Sequence, residues 1–179
     1  MIYIFLADGF EEIEALCPLD IMRRAGLLVT TVGIGGKNIT GSHNITVVAD
    51  ITEEEFDISD AQMIFLPGGM PGTLNLGNSE TVKNAIEDAT KKGIYISAIC
   101  AAPSILGDMG LLIGKEAICY PGFEDRLMGA TISKRRVVRD GKIITAAGMG
   151  VALDLGLETV ALFCGEEKAR SLKKAVIYD

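Results

Sequence analysis

The stretch Gly93-Ile94-Tyr95-Ile96-Ser97-Ala98-Ile99-Cys100-Ala101-Ala102-Pro103 decides how this chain is read. Its apolar, β-branched run fits a strand buried within a parallel sheet. The run ends on a cysteine and passes at once into a helix start. Pro103 suits the first helical turn, where a missing N–H costs nothing. Small residues stand two positions to either side of the cysteine, Ala98 before it and Ala102 after it. A sharp strand-to-helix turn needs them, because strand and helix approach closely across it. The pattern is a nucleophile elbow with Cys100 at its tip. A thiol held there points at a helix N-terminus, which favours thiolate and predicts a lowered pKa. Cysteine is also among the most buried residue types, so the elbow alone leaves a packing thiol and a reactive thiol both open.

Outward from the elbow, strands and helices alternate. Residues 2–7 read as a strand, 11–25 as a helix ended by Gly26, 28–34 as a strand and 61–66 as a central strand. Gly35-Gly36 open an excursion through residues 45–49, expected to be a hairpin near one sheet edge. Residues 81–92 carry helical periodicity, with Val82, Ala85, Ile86 and Ala89 on one face. Residues 135–139 and 142–146 flank Asp140-Gly141, a type I′ hairpin signal. Residues 150–164 and 166–178 close the chain as helices. The alternation implies an α/β fold with a mostly parallel sheet covered on both faces.

The composition agrees. A chain of 179 residues, 49% hydrophobic and rich in glycine, is expected to form one domain over residues 1–179 with a buried sheet and tight βα turns. A net charge of −7 argues against a nucleic-acid surface. The basic cluster Lys134-Arg135-Arg136 reads as a solvated edge. No apolar run reaches membrane-spanning length, and the opening residues lack the basic region of a secretory leader. The four scattered cysteines make no CxxC pair and have no nearby histidine for zinc. Free thiols and a cytoplasmic location are the expectation.

In parallel sheets ligands bind beyond the carboxyl ends of the strands, where residues 8–14, Gly68-Gly69 and Cys100 should meet. Glu11 and Glu12 read as acids that complement a helix dipole. Glu14 is placed differently: with Ile13 and Leu16 buried around it, it faces the sheet's carboxyl edge and could serve a thiol as general acid or base. Pro67-Gly68-Gly69-Met70-Pro71-Gly72 reads either as a tight turn or as a turn whose Gly69 N–H joins that of Ala101 around an oxyanion. It is no P-loop, since no Gly-Lys-Ser/Thr follows. Gly148-Met149-Gly150 is either a second backbone approach to the site or a plain loop. His43, the lone histidine, reads as a solvated side chain, and Cys17, on the same helix face as Glu14, as a core thiol.

Together these residues resemble the ThiJ/PfpI superfamily, most closely the branch that contains the Parkinson's-disease-associated deglycase. The resemblance rests on Asp8-Gly9-Phe10-Glu11-Glu12-Ile13-Glu14, on Pro18 to Gly26, on Leu66-Pro67-Gly68-Gly69, on Ala98-Ile99-Cys100-Ala101-Ala102-Pro103 and on the closing Gly148–Gly150 helix. It implies a flavodoxin-like three-layer sandwich, a homodimer, and no metal or organic cofactor. It also implies Cys100 as nucleophile, Glu14 as its hydrogen-bonded acid, and Gly69 and Ala101 as oxyanion-hole positions. Arg24 and His43 fall where the family's dimer interface nears the site, so His43 would approach Cys100 from the partner subunit. Gly68 and Tyr120 would line the site.

One departure stands out: Tyr120-Pro121 replaces the His-Pro pair of relatives that carry a third catalytic residue. A phenol titrating near ~10 is no imidazole base at neutral pH, which counts against a peptidase or amidase of the PfpI kind. The expected activity is that of a cofactor-free glyoxalase or deglycase on small reactive aldehydes such as methylglyoxal and glyoxal, or their adducts. The alternative is a redox sensor or redox-regulated chaperone acting through Cys100 oxidation.

Overall fold

The computed structural model describes residues 1–178. In chain order the strands are β1 (Ile2–Leu6), β2 (Val29–Gly33), β3 (Asn38–Thr40), β4 (Thr46–Val48), β5 (Ile51–Thr52), β6 (Met63–Leu66), β7 (Tyr95–Ile99), β8 (Glu116–Ala117), β9 (Thr131–Ile132), β10 (Val137–Asp140) and β11 (Ile143–Ala146). The helices are α1 (Glu12–Arg24), α2 (Gly72–Asn78), α3 (Glu80–Lys92), α4 (Pro103–Asp108), α5 (Ala152–Cys164) and α6 (Glu166–Ala175). Seven strands make one sheet in the order β10-β11-β7-β6-β1-β2-β5. All its pairings are parallel except β10 with β11.

The central strands β1 and β6 are buried at every residue, as a sheet covered on both faces requires. One face packs Phe5, Ile64, Leu66 and Ile96 against Val82, Ala85, Ile86 and Ala89 of α3. The other packs Ile4, Met63, Phe65 and Ile144 against α1, α5 and α6 through Ile21, Leu155, Val160 and Leu172. The two layers of helix around one sheet are the sandwich expected from the alternation. Gly156 lets α5 close on α1, since a Cβ there would lie 3.1 Å from the Pro18 Cα and from Ile21. Strand order reverses beside β1: the chain moves outward through β2 on one side and then through β6 and β7 on the other. Such a reversal opens a crevice at the carboxyl ends of the strands. That is where the Glu14, Gly68 and Cys100 segments emerge.

The excursion after Gly35-Gly36 is a hairpin as expected, β3 with β4, in a two-stranded sheet of its own. Other local expectations need correction. The turn at Asp140-Gly141 is shifted by one residue: Asp140 still pairs with Ile143, so Gly141 and Lys142 are the central pair. Only Gly141 has a positive φ, 61°, whereas a type I′ turn needs two, so glycine in first place marks the type II′ pattern. Residues 149–151 form a short 3₁₀ turn before α5, and α6 ends at Ala175, three residues early. Residues 109–134, which carry no strong period, fold as a loop-rich excursion held by the short β8–β9 ladder.

Candidate active site

Strand β7 delivers Cys100 directly to the crevice. The residue has φ of 64°, a left-handed conformation that side chains with a Cβ rarely adopt, so the elbow is strained as expected. Two hydrogen bonds hold it there. Its N–H donates to the Ala146 carbonyl at 2.9 Å, and its carbonyl accepts from the Tyr120 N–H at 2.8 Å. The chain can turn so tightly because Gly68 lies against it: a Cβ on Gly68 would fall 2.7 Å from the Cys100 Cβ and 2.6 Å from Glu14 Oε2. Gly69, at φ of 92°, turns its N–H toward the sulfur, and so does Ala101. The two donors expected around an anion therefore converge on one point.

Glu14 comes to the same point from the first turn of α1. It is 1% exposed. One oxygen, Oε2, accepts from the Gly68 N–H at 3.0 Å. The other, Oε1, is buried without a full hydrogen bond, and the Cys100 thiol and the Met149 N–H both face this carboxyl group. The burial arises differently from the sequence expectation. Ile13 is exposed and Leu16 half-buried, and the inward residues of this face are Glu12, Glu14, Ala15 and Pro18.

The electrostatics overturn the expectation of a lowered thiol pKa. Burial pushes Glu14 up to about 7, against the hydrogen bonds from Cys100 and the Gly68 N–H. Burial also pushes the Cys100 thiol up, to about 12, and the Glu14 charge adds to this, against the N–H groups of Ala101 and Gly69. A helix terminus alone would lower it. Here desolvation and a neighbouring carboxylate outweigh that effect. The two groups titrate as a pair. One proton leaves near neutral pH, and a second charge so close to the first is held off to far higher pH. In the singly charged pair the charge rests on Glu14 and the thiol keeps its proton; Cys100 becomes a thiolate by passing that proton to Glu14, with the Gly69 and Ala101 N–H groups facing the sulfur.

Gly148 closes the far wall, and this settles its open reading in favour of an approach to the site. A Cβ there would lie 3.2 Å from the Tyr120 ring, 3.8 Å from Glu14 Oε1 and 3.9 Å from Cys100 Sγ. Tyr120 is 51% exposed and stands at the mouth. The signal for Gly148 was present in the sequence, since glycine in a βα loop marks close backbone approach. Cys119 beside it is buried, its thiol pushed by burial up to about 11.

Arg24 and His43 are not at this site within the chain. Arg24 bonds Asp20 at the far end of α1. His43 sits over the first turn of α1, where its Nδ1 lies 2.9 Å from Glu12 Oε2 and 3.5 Å from Glu11 Oε2. The contact with Glu12 raises the imidazole pKa. Glu12 is therefore no mere dipole acid: its Oε1 accepts from the His43 and Ile45 N–H groups and its Oε2 from Ser42 Oγ. Burial alone would raise its pKa, but the His43 side chain, and after it the backbone N–H groups of His43 and Ile45, lower it. Glu11, Glu12 and His43 bring three potential metal-ligating atoms within 4.8 Å of one another, but both Glu12 oxygens are already engaged in clamping the hairpin.

Residues 1–162 match the DJ-1/PfpI family. The chain belongs to this family. DJ-1/PfpI relatives align along nearly its full length. The Parkinson disease protein 7 homolog of Danio rerio is 34% identical over 97% of this chain and 95% of its own. The glutathione-independent glyoxalase DJR-1.2 of Caenorhabditis elegans is 28% identical over 93% and 90%. Among solved structures, a DJ-1 superfamily protein of Salmonella typhimurium superposes with a TM-score of 0.94 at 30% identity, covering 99% of this chain and 98% of that one. The oxidized DJ-1 of Toxoplasma gondii does so with 0.94 at 29%, covering 99% and 97%. No helix among the described residues of this DJ-1/PfpI chain is long and apolar enough to cross a membrane.

Proposed function

We propose that the protein is a cofactor-free glyoxalase- or deglycase-type enzyme in which Cys100 is the nucleophile and Glu14 the proton carrier. The observation that carries this reading is the buried carboxyl group facing the thiol, with one oxygen unsatisfied and a pKa near 7. A group poised near neutrality can both take and give a proton at working pH. Cys100 Sγ bonds to the aldehyde carbon of methylglyoxal, and the N–H groups of Gly69 and Ala101 hold the developing oxyanion. Glu14 protonates that oxygen. It then removes the hydrogen from the former aldehyde carbon as a proton and returns it to the neighbouring ketone carbon, while the hydroxyl proton passes from the first oxygen to the ketone oxygen through the enediol. The first carbon is oxidised and the second reduced, so no outside redox partner is needed. Water cleaves the resulting 2-hydroxyacyl thioester, releasing lactate and the thiol.

This scheme has no place for a histidine, in keeping with Tyr120. The C. elegans relative named as a glyoxalase supports the same substrate class. The test is lactate formation from methylglyoxal, followed by proton NMR, beside Cys100→Ser and Glu14→Gln. Many turnovers in the parent, lost in both variants, are expected. Stoichiometric adduct without lactate would sink the mechanism. That result would favour the second reading, oxidation of Cys100 by peroxide, in which the unsatisfied Glu14 oxygen, once protonated, hydrogen-bonds a sulfinate. We place the protein in the cytoplasm as a homodimer, with Arg24 and His43 near the partner's site. The exposed Ile13 and Ile45, beside the Glu12–His43 contact, support an apolar contact face there.

A further inference from the structure

The basic run Lys134-Arg135-Arg136 is not a uniform solvated edge. Arg135 pairs with Glu116. Among the described residues Arg23, Arg24, Arg126 and Arg139 also have carboxylate partners, while Arg136 and Arg170 have none. Instead Arg136 Nη2 donates to the Gly150 carbonyl at 2.8 Å, and the Arg136 backbone carbonyl accepts from the Ala147 N–H at 2.9 Å. Both ends of the residue are tied to the loop that carries Gly148, the glycine lying against Cys100, Glu14 and Tyr120. Arg136 and Tyr120 both line an open hollow of about 320 Å³, together with Ala147, Gly148 and Met149. The Tyr178 hydroxyl, which lies within the field of Arg136, donates to Asp154 at 2.8 Å.

A guanidinium has five N–H donors in a planar fork that matches a carboxylate. Arg136 spends one on Gly150 and is oriented by it, so the rest are presented without further ordering. In a chain of net charge −7 such a site is a local exception to a field that repels anions.

We propose that Arg136 and the hollow beside Tyr120 form a subsite for the carboxylate tail of the substrate, whose aldehyde carbon reacts at Cys100. The substrate class is then a 2-oxoaldehyde with a carboxylate at its far end, rather than methylglyoxal itself. This rests on the Cys100–Glu14 chemistry above. With 4,5-dioxopentanoate as probe, the aldehyde hydrogen moves to the adjacent carbon, water cleaves the thioester, and 2-hydroxyglutarate is the product.

The test is kcat/KM for 4,5-dioxopentanoate and for methylglyoxal in the parent, Arg136→Gln, Arg136→Lys and Arg170→Gln. The parent is expected to prefer the carboxylate-bearing probe. Arg136→Gln should cut that preference by about 10- to 100-fold, chiefly through KM, as loss of a charge-assisted hydrogen bond does. Arg136→Lys should restore part of it. Arg170→Gln, which removes an equal charge from α6, should leave it intact. Turnover of both substrates with the same preference in the parent and Arg136→Gln overturns the subsite and leaves the Cys100–Glu14 chemistry standing. Failure of the parent to turn over either substrate overturns that chemistry and the subsite with it.

Discussion

Glu14 is paid for in stability. Its ordinary pKa of 4.5 applies to the unfolded chain and about 7 to the folded one. Between those pH values the folded state holds a proton that the unfolded state has lost, so stability falls as pH rises through this window, by on the order of 3 kcal/mol. Glu14→Gln is expected to abolish that slope, so that denaturant melts show the variant more stable than the parent above pH 7 and similar to it near pH 4.5. The same substitution removes the proton carrier, and kcat should fall by about 10²–10⁴. For the parent, kcat/KM should rise through an apparent pKa near 7, where the pair loses its first proton, and Cys100→Ser should remove this rise with the activity. A parent profile flat from pH 5 to 9 would exclude the dyad as the titrating unit.

At the scale of elements, the site is a junction of three loops kept close by residues without side chains. Gly68→Ala would press its methyl onto Glu14 Oε2 and the Cys100 Cβ at once. Turnover is expected to drop by at least about 100-fold, since small misplacements of reacting groups cost that much, with far-UV circular dichroism unchanged. Glu12→Ala tests another junction, the clamp between α1 and the β3–β4 hairpin. It strands the His43 and Ile45 N–H groups, and a loss of about 1–3 kcal/mol in urea melts is expected. Most of these elements are legible in the sequence. Strand β7 and the elbow announce themselves through a β-branched run, flanking alanines and Pro103, because burial and close approach leave few residue types to choose from. What is illegible depends on partners distant in sequence. The excursion 109–134 is held by contacts such as the Ile118 N–H with Thr145 Oγ1, and has no period of its own. The direction of the Cys100 pKa is hidden for the same reason: the helix start is local, whereas the burial and the Glu14 charge that outweigh it come from other segments.

For the molecule as a whole, the proposed homodimer predicts sedimentation at twice the chain mass. Ile45→Asp, at an exposed position beside the hairpin clamp, should shift it toward the monomer without lowering the melting temperature of the fold by more than a few degrees. The sheet itself bears on behaviour at high concentration. One outer strand, β5, is two residues long. The other, β10, ends in Arg139-Asp140, and its Asp140 carboxylate accepts from the Glu116 N–H of the neighbouring β8. Neither margin offers a long, flat, uncharged row of backbone groups to a second molecule. A chain with nearly half its residues apolar should therefore stay dispersed when crowded, and fibrillar self-assembly would have to begin from an unfolded state rather than from the native sheet.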